Sequence, residues 1–292
     1  MKKRQFMLAL HLTKGIGRAR EAVIIQRIEA KQAPESYPWS VTALAFVLGS
    51  EMDAAFFANL ASAYQEALKQ APQYQEDYLT YFDDDYPERL RQIYQPPLVF
   101  FYKGDRRALT LPALAVVGTR TATPYGLEVI RQFIPELVNQ GIAIVSGLAK
   151  GIDVMAHQAT FAAGGVPIAV IGSGIGRTYP KQHQYLQEEV GQQGLLISEY
   201  PKATPPHRAH FPERNRIIAG LAQATLVVEA KGRSGSLITA NAALQNNRDV
   251  LAVFGSIFSA ESAGCHDLIA AGARPVCSVK ELLEAVNFMT GN

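Results

Sequence analysis

From Pro97 onward the chain repeats one texture. Short apolar runs, each closed by a glycine or polar turn, alternate with helix-length segments. The runs are PLVFFY, LAVVG, IAIVSG, PIAVIG, LLISEY, TLVVEA and VLAVFG. Runs that are apolar throughout, rather than alternating, require a sheet covered on both sides. Their interleaving with helical segments predicts βαβ units, hence an α/β fold with a mostly parallel sheet and helices on both faces.

Up to about Tyr94 the pattern is different. Apolar residues recur at helical spacing through EAVIIQRI, TALAFVLG and DAAFFANLASAYQEAL, and the turns KQAPESYP and KQAPQYQE are rich in proline and polar residues. The expected organisation is a helical domain over 1–94 and an α/β domain over 97–292, with YPERLRQIYQPP as the passage between them. Within the first, LTKGIGRAR reads either as a plain helix–helix turn or as a helix-hairpin-helix turn whose glycine amides contact a phosphate.

Composition narrows the function classes. An apolar content of 48% supports a sizeable core, and a charged content of 18% is too low for a disordered chain. The formal net charge is only +2, so any basic site must be local. Two cysteines, Cys265 and Cys277, make neither a disulfide framework nor a metal knuckle and suit a reducing cytoplasm. The basic, partly apolar start breaks at His11 and Lys14 with no cleavage site after it, and no run reaches the roughly 18 apolar residues of a membrane span. The expectation is a soluble cytoplasmic protein.

Ligands of an open parallel sheet bind outside the carboxyl ends of the strands. Five corners there combine glycine, serine or threonine with a cation: Thr119 and Arg120; Ser146, Gly147 and Lys150; SGIGRTYPKQH with Lys181; PKATPPHRAHFPERNR with Arg208; and KGRSGSLITA with Lys231, Arg233, Ser234, Gly235 and Ser236. Glycines let backbone amides approach an anion, helix N-termini add partial positive charge, and Arg or Lys adds a full one. Five such corners on one edge suggest a track for several phosphates. AVVGTRTATPYG lacks the second glycine of a dinucleotide fingerprint and offers Arg120 instead.

In FPERNRIIAGL, a helix starting near Pro212 puts Arg214 on the stripe of Ile217, Ile218 and Leu221, while Asn215 and Arg216 point elsewhere; all three are candidate DNA contacts. A buried arginine needs a carboxylate, such as Glu199 or Glu229, or an anionic ligand. Phe211 beside it is either a core anchor or a base-stacking ring. Ser234 to Ser236 have no local base to make a nucleophile, and a phosphate-binding role is preferred. Asp153 and His157, one helical turn apart, lack the further ligands of a metal site, and no metal or cofactor is expected.

These motifs, VVGTR, SGLAKGID, SEYP, FPERNRIIAGL, VVEA, SGSLITA and GCHDLIAAGA in order, resemble the DNA processing protein A family (DprA, also called Smf) from about Pro97 onward. The resemblance implies an extended Rossmann fold that binds single-stranded DNA, dimerises, loads the RecA recombinase during natural transformation and has no established catalytic activity. It implies DNA contacts at Arg120, Lys181, Arg208 and Phe211, anion-binding corners at Ser146, Gly147 and Ser234 to Ser236, and a dimer face around Cys265 to Val276. The 1–94 segment resembles the small helical domain, related to sterile-alpha-motif folds, of many members. Two departures stand out: the third corner has Arg177 and His183 where the family usually has aspartate and asparagine, and the chain ends at Asn292 without a winged-helix module.

The competing reading is an enzyme similar to the nucleotide phosphoribohydrolases, whose corner resembles PGGxGTxxE. The matching RSGSLITAN offers no carboxylate for acid-base work.

Overall fold

The computed structural model describes residues 1–49 and 53–290, the side chains of 287–290 aside, and contains two compact units. Met1–Tyr86 and Gln95–Phe101 make the first; Pro87–Tyr94 and Tyr102–Asn292 make the second. The chain thus changes unit more than once across the passage.

The first unit holds α1 (Lys3–Leu12), α2 (Arg18–Glu29), α3 (Val41–Leu48), α4 (Ala54–Gln70) and the strand β1 (Tyr78–Thr80). Ser40 and Asp53 cap α3 and α4, accepting from Ala43 N and Phe56 N, and Gly49 closes α3 in the left-handed region. The core gathers on the fully buried Phe6, which meets the rings of Tyr37, Trp39 and Tyr64; the Tyr64 hydroxyl donates to the Trp39 carbonyl at 2.9 Å. Helical spacing alone did not reveal β1. At three residues it is too short to show a period of two, and its antiparallel partner begins at Val99.

The second unit begins with the one-turn helix α5 (Glu88–Arg91), and β2 (Val99–Gly104) runs from the first unit into it. Then β3 (Ala113–Val117), α6 (Pro124–Asn139), β4 (Ala143–Ser146), α7 (Ile152–Ala162), β5 (Pro167–Ile171), α8 (Gln184–Gln193) and β6 (Leu195–Ser198) build one half. α9 (His210–Leu221), β7 (Ala224–Val227), α10 (Gly235–Gln245), β8 (Asp249–Val253), α11 (Ala263–Ala270), β9 (Arg274–Val276) and α12 (Val279–Thr290) build the other. The strands lie in the order β6-β5-β4-β3-β7-β8-β9, and every pairing from β6 to β9 is parallel.

The Rossmann-like, mostly parallel α/β architecture is therefore as the apolar runs require. From β3 to β6 the chain steps one way along the sheet; α9 then carries it back past β3 to β7. Right-handed crossovers put α6 to α8 on one face and α9 to α11 on the other, while α12, which follows the last strand, returns to the face of α6. Leu114, Val116, Ile144, Leu226 and Leu251 face α6, α7 and α12 in one core. α9 and α10 pack on each other. α5 belongs with this unit because Leu90 and Ile93 close on Gly220 of α9, where an added Cβ would stand 2.6 Å from Ile93. The short β9 was not anticipated: RPV is mostly exposed and has no apolar run.

Candidate nucleic-acid interface

The order of strands fixes the order of the corners. Moving along the carboxyl edge from β6 to β7, the chain presents Arg208, Lys181, Lys150, Arg120, then Lys231 and Arg233, all six exposed. Neighbouring strands lie about 4.8 Å apart, so the five corners form a row about 20 Å long. The order in space differs from the order in the sequence.

Each corner is held from below. After β3, Thr119 N donates to the Glu229 carbonyl at 2.7 Å, and Thr123 caps α6. The buried Glu229 carboxylate accepts from Thr123 N at 3.0 Å and from Thr123 Oγ1 at 2.6 Å. Gly126 must be glycine, since a Cβ there would run into Glu229 Oε2. Arg120 is left pointing outward.

After β4, Ser146 Oγ donates to the Val116 carbonyl at 2.6 Å, so this serine positions the corner and does not face the edge. Gly147 N and Ala149 N donate to Asp153 Oδ2 at 3.2 and 3.3 Å. Leu148 adopts φ 55°, a left-handed conformation costly for a branched residue. Gly151, at φ 85°, comes so close to the Thr119 carbonyl that only glycine fits. His183 bridges from the third corner, its Nδ1 donating to the Leu148 carbonyl at 3.0 Å, and Arg177 Nε donates to the Ala203 carbonyl at 3.2 Å. Both departures from the family pattern thus tie loops to one another.

Phe211 is half-buried. It lies over Gly172 and beside Tyr179, ring centroids 5.3 Å apart, with Tyr179 about half exposed. These two rings belong to the corners that carry Lys181 and Arg208, two and three residues from those cations in the chain. At the fifth corner, Ser234 and Ser236 Oγ lie 2.8 Å apart, and a Cβ on Gly232 or Gly235 would meet nothing. Arg233 is held at φ 61°. Lys231 Nζ pairs with Glu261 Oε1 at 3.0 Å.

FPERNR divides differently from the helical-wheel expectation. α9 starts at His210, and both Arg214 and Arg216 are buried. Arg214 faces inward as expected, but no carboxylate among the described residues pairs with it directly: Nη1 donates to the Gly147 carbonyl at 2.7 Å and to the Val170 carbonyl, and Nε donates to Asn215 Oδ1 at 3.1 Å. It is Arg216 that takes the ion pair with Glu199. Asn215 is half-buried, its Nδ2 donating to the Gly235 carbonyl at 3.3 Å.

Burial lowers the Arg214 pKa to about 10, so it remains a cation, with Asp153 opposing the shift and Arg120 adding to it. Burial pushes the Asp153 carboxyl up, while Arg214 and the amides of Ala149 and Gly147 pull it down. His157, fully buried under this corner, is held neutral, with burial taking its pKa to about 3. A backbone contact at Ser146 opposes that shift and the Arg214 cation adds to it. The described residues contain no cluster of three or more His, Cys, Asp or Glu fit to hold a metal, and no helix long and apolar enough to cross a membrane.

The residues sequence reasoning did not place here are the locks, Asp153 on the second corner and Glu229 on the first. Their signal was present as carboxylates in apolar surroundings, GID and LVVEA. Their partners were not.

Residues 77–287 match the model of the DNA recombination-mediator protein A family. The chain belongs to that family. DNA recombination-mediator protein A relatives include the DNA processing protein DprA of Streptococcus pneumoniae, 47% identical over 206 residues, covering 70% of this chain and 73% of that one. The solved structure of DNA processing protein A from the same organism superimposes with a TM-score of 0.86 at 36% identity, covering 97% of this chain and 98% of that one. A Helicobacter pylori DNA processing protein A structure, described for its single-stranded DNA binding mode, matches with a TM-score of 0.65 at 27% identity, covering 74% of this chain and 97% of that one.

Proposed function

We propose that this protein is a non-enzymatic DNA processing factor that binds single-stranded DNA along the carboxyl edge of its parallel sheet, shields it, and passes it to a RecA recombinase. The observation that carries the reading is the row of six exposed cations on five adjacent corners. A mononucleotide needs one such corner; a polymer needs them in sequence. Family membership and the single-stranded DNA binding described for the Helicobacter pylori relative support the same reading.

Arg120, Lys150, Lys181, Arg208, Lys231 and Arg233 meet phosphates, with the uncrowded start of α10 at Ser234 to Ser236 adding uncharged donors. Phe211, with Tyr179 beside it, stacks on a base. Ser146, Gly147, Arg214, Asn215 and Arg216 shape the edge from beneath. Two copies pair through the region of Cys265 to Val276.

Gel shifts with single-stranded and duplex DNA, each with and without RecA, test the proposal. The expected result is tighter binding of the single strand, steep salt dependence, and a slower complex when RecA is added. Equal affinity for duplex, or no binding at low salt, overturns it. Release of free base from nucleoside monophosphates by the pure protein would instead establish a phosphoribohydrolase.

A further inference from the structure

One strand beyond Lys231, the same edge changes character. The loop after β8, Phe254–Ser262, carries no Lys or Arg. It is nonetheless well fastened. Phe254 N donates to the Val276 carbonyl at 3.3 Å, Ser259 N to the Ser256 carbonyl at 3.0 Å, and Phe258 N to Ser256 Oγ at 3.2 Å. Gly255 sits so tightly on Ser262 that a side chain there is excluded. This fastened loop holds Ile257 and Phe258 out in solvent, 80% and 93% exposed. Two large apolar side chains displayed by a constrained turn are costly to leave in water without a use.

Beside them a cavity of about 360 Å³ opens, walled by Tyr125 and Phe254, with Glu229, Thr123 and Ser256 among its lining. The Tyr125 hydroxyl donates to the Phe254 carbonyl, which ties the two aromatic walls together. The lining has no cation and contains a buried carboxylate. That chemistry repels a phosphate and accepts the N–H edge of an uncharged ring. Tyr125 lies on the first turn of α6, five residues after Arg120, so the cavity adjoins the cation row.

We infer that this cavity is a nucleobase subsite. It takes a base of the strand whose phosphates lie over Arg120 and Lys231, with Tyr125 and Phe254 as walls and Phe258 as an exposed stacking platform. The inference rests on the single-stranded DNA reading above and adds to it a place, outside the cation row, where the strand's apolar face is bound. Aromatic rings beside a cationic groove are how base stacking and phosphate contact combine on a single strand.

The test compares wild type with Phe258→Ala and Phe254→Ala. Anisotropy is measured on two labelled oligonucleotides of equal length and charge, one with bases and one fully abasic. The expected result is a loss of about five-fold or more on the base-bearing strand for each variant, no loss on the abasic strand, and an unchanged salt slope. Phe258, being solvent-exposed, can be removed without a folding defect, so its variant decides the matter if Phe254→Ala misfolds. Equal losses on both strands, or none on either, overturn the subsite. So does a variant whose oligomeric mass falls in light scattering while its base dependence is unchanged, since the loop is then a contact between protein chains. Failure of wild type to bind either oligonucleotide overturns the DNA-binding reading itself.

Discussion

Arg214 reaches across from α9 to donate to the Gly147 carbonyl at 2.7 Å, and its Cζ stands 2.6 Å from where a Gly147 Cβ would be. The arginine therefore fills the space that the glycine leaves and satisfies the carbonyl that the glycine exposes.

Removing either side should break the corner. Arg214→Ala leaves the Gly147 and Val170 carbonyls without this donor and deprives Asp153 of its neighbouring cation, at a cost of about 3–5 kcal/mol. Gly147→Ala forces the guanidinium aside and should also weaken DNA binding. Denaturant midpoints, with the m-value held constant, measure the first effect, and single-strand titrations the second. An Arg214→Ala protein of wild-type stability would show that the guanidinium is not structural.

Arg120 behaves in the opposite way. It is exposed, so Arg120→Ala should leave the melting temperature unchanged while binding weakens. If it contacts one phosphate, the slope of log K against log salt becomes shallower by about 0.7 for a single strand. Unchanged affinity and slope would remove Arg120 from the interface.

Glu261 restrains the fifth corner. Its carboxylate pairs with Lys231 at 3.0 Å and accepts from Thr121 Oγ1 at 2.8 Å. Burial raises its pKa, but bonds from Thr119, Thr121 and Lys231 outweigh that and keep it below the usual range. Glu261→Gln should free Lys231 for the ligand and tighten single-strand binding by about two- to five-fold at low salt. The gain should fade as salt screens the edge. Stability should change by less than about 1 kcal/mol, since glutamine keeps the bond from Thr121 and an ion pair whose lysine is half exposed contributes little.

His157 supplies the pH dependence. Its pKa is near 6.5 when unfolded and about 3 in the fold, so the unfolded chain binds more protons between those values. Stability from this residue is complete above about pH 6.5 and is lost as pH falls, by up to about 1.4 kcal/mol per pH unit. Asp153, shifted upward by burial, contributes with the opposite sign. The informative quantity is therefore the difference between proteins. Between pH 6.5 and 5, wild type should lose about 1–2 kcal/mol more than His157→Phe. Parallel stability curves for the two would show that His157 is not buried neutral.

The parallel sheet and its cation corners were legible because each is written locally, as an apolar run followed within a few residues by glycine and a basic side chain. β1 and β9 were not, because three-residue strands carry no period. Arg214 was placed inward by its spacing, yet Arg216 was not. From its flank of α9, Arg216 is buried only because Glu199 waits at the end of β6. The lock between Glu229 and Thr123 joins residues 106 apart in the chain, and no local pattern can announce such a pair.

That same glutamate also bears on what can approach the first corner. In an open α/β sheet the cleft lies where the chain reverses direction, here between β3 and β7, and the helix that starts there ordinarily turns its bare amide end toward a pyrophosphate. Glu229 already occupies the end of α6, accepting from Thr123 N. The protein carries its own internal counter-ion at the N-terminal end of α6, and Arg120 stands exposed at the rim.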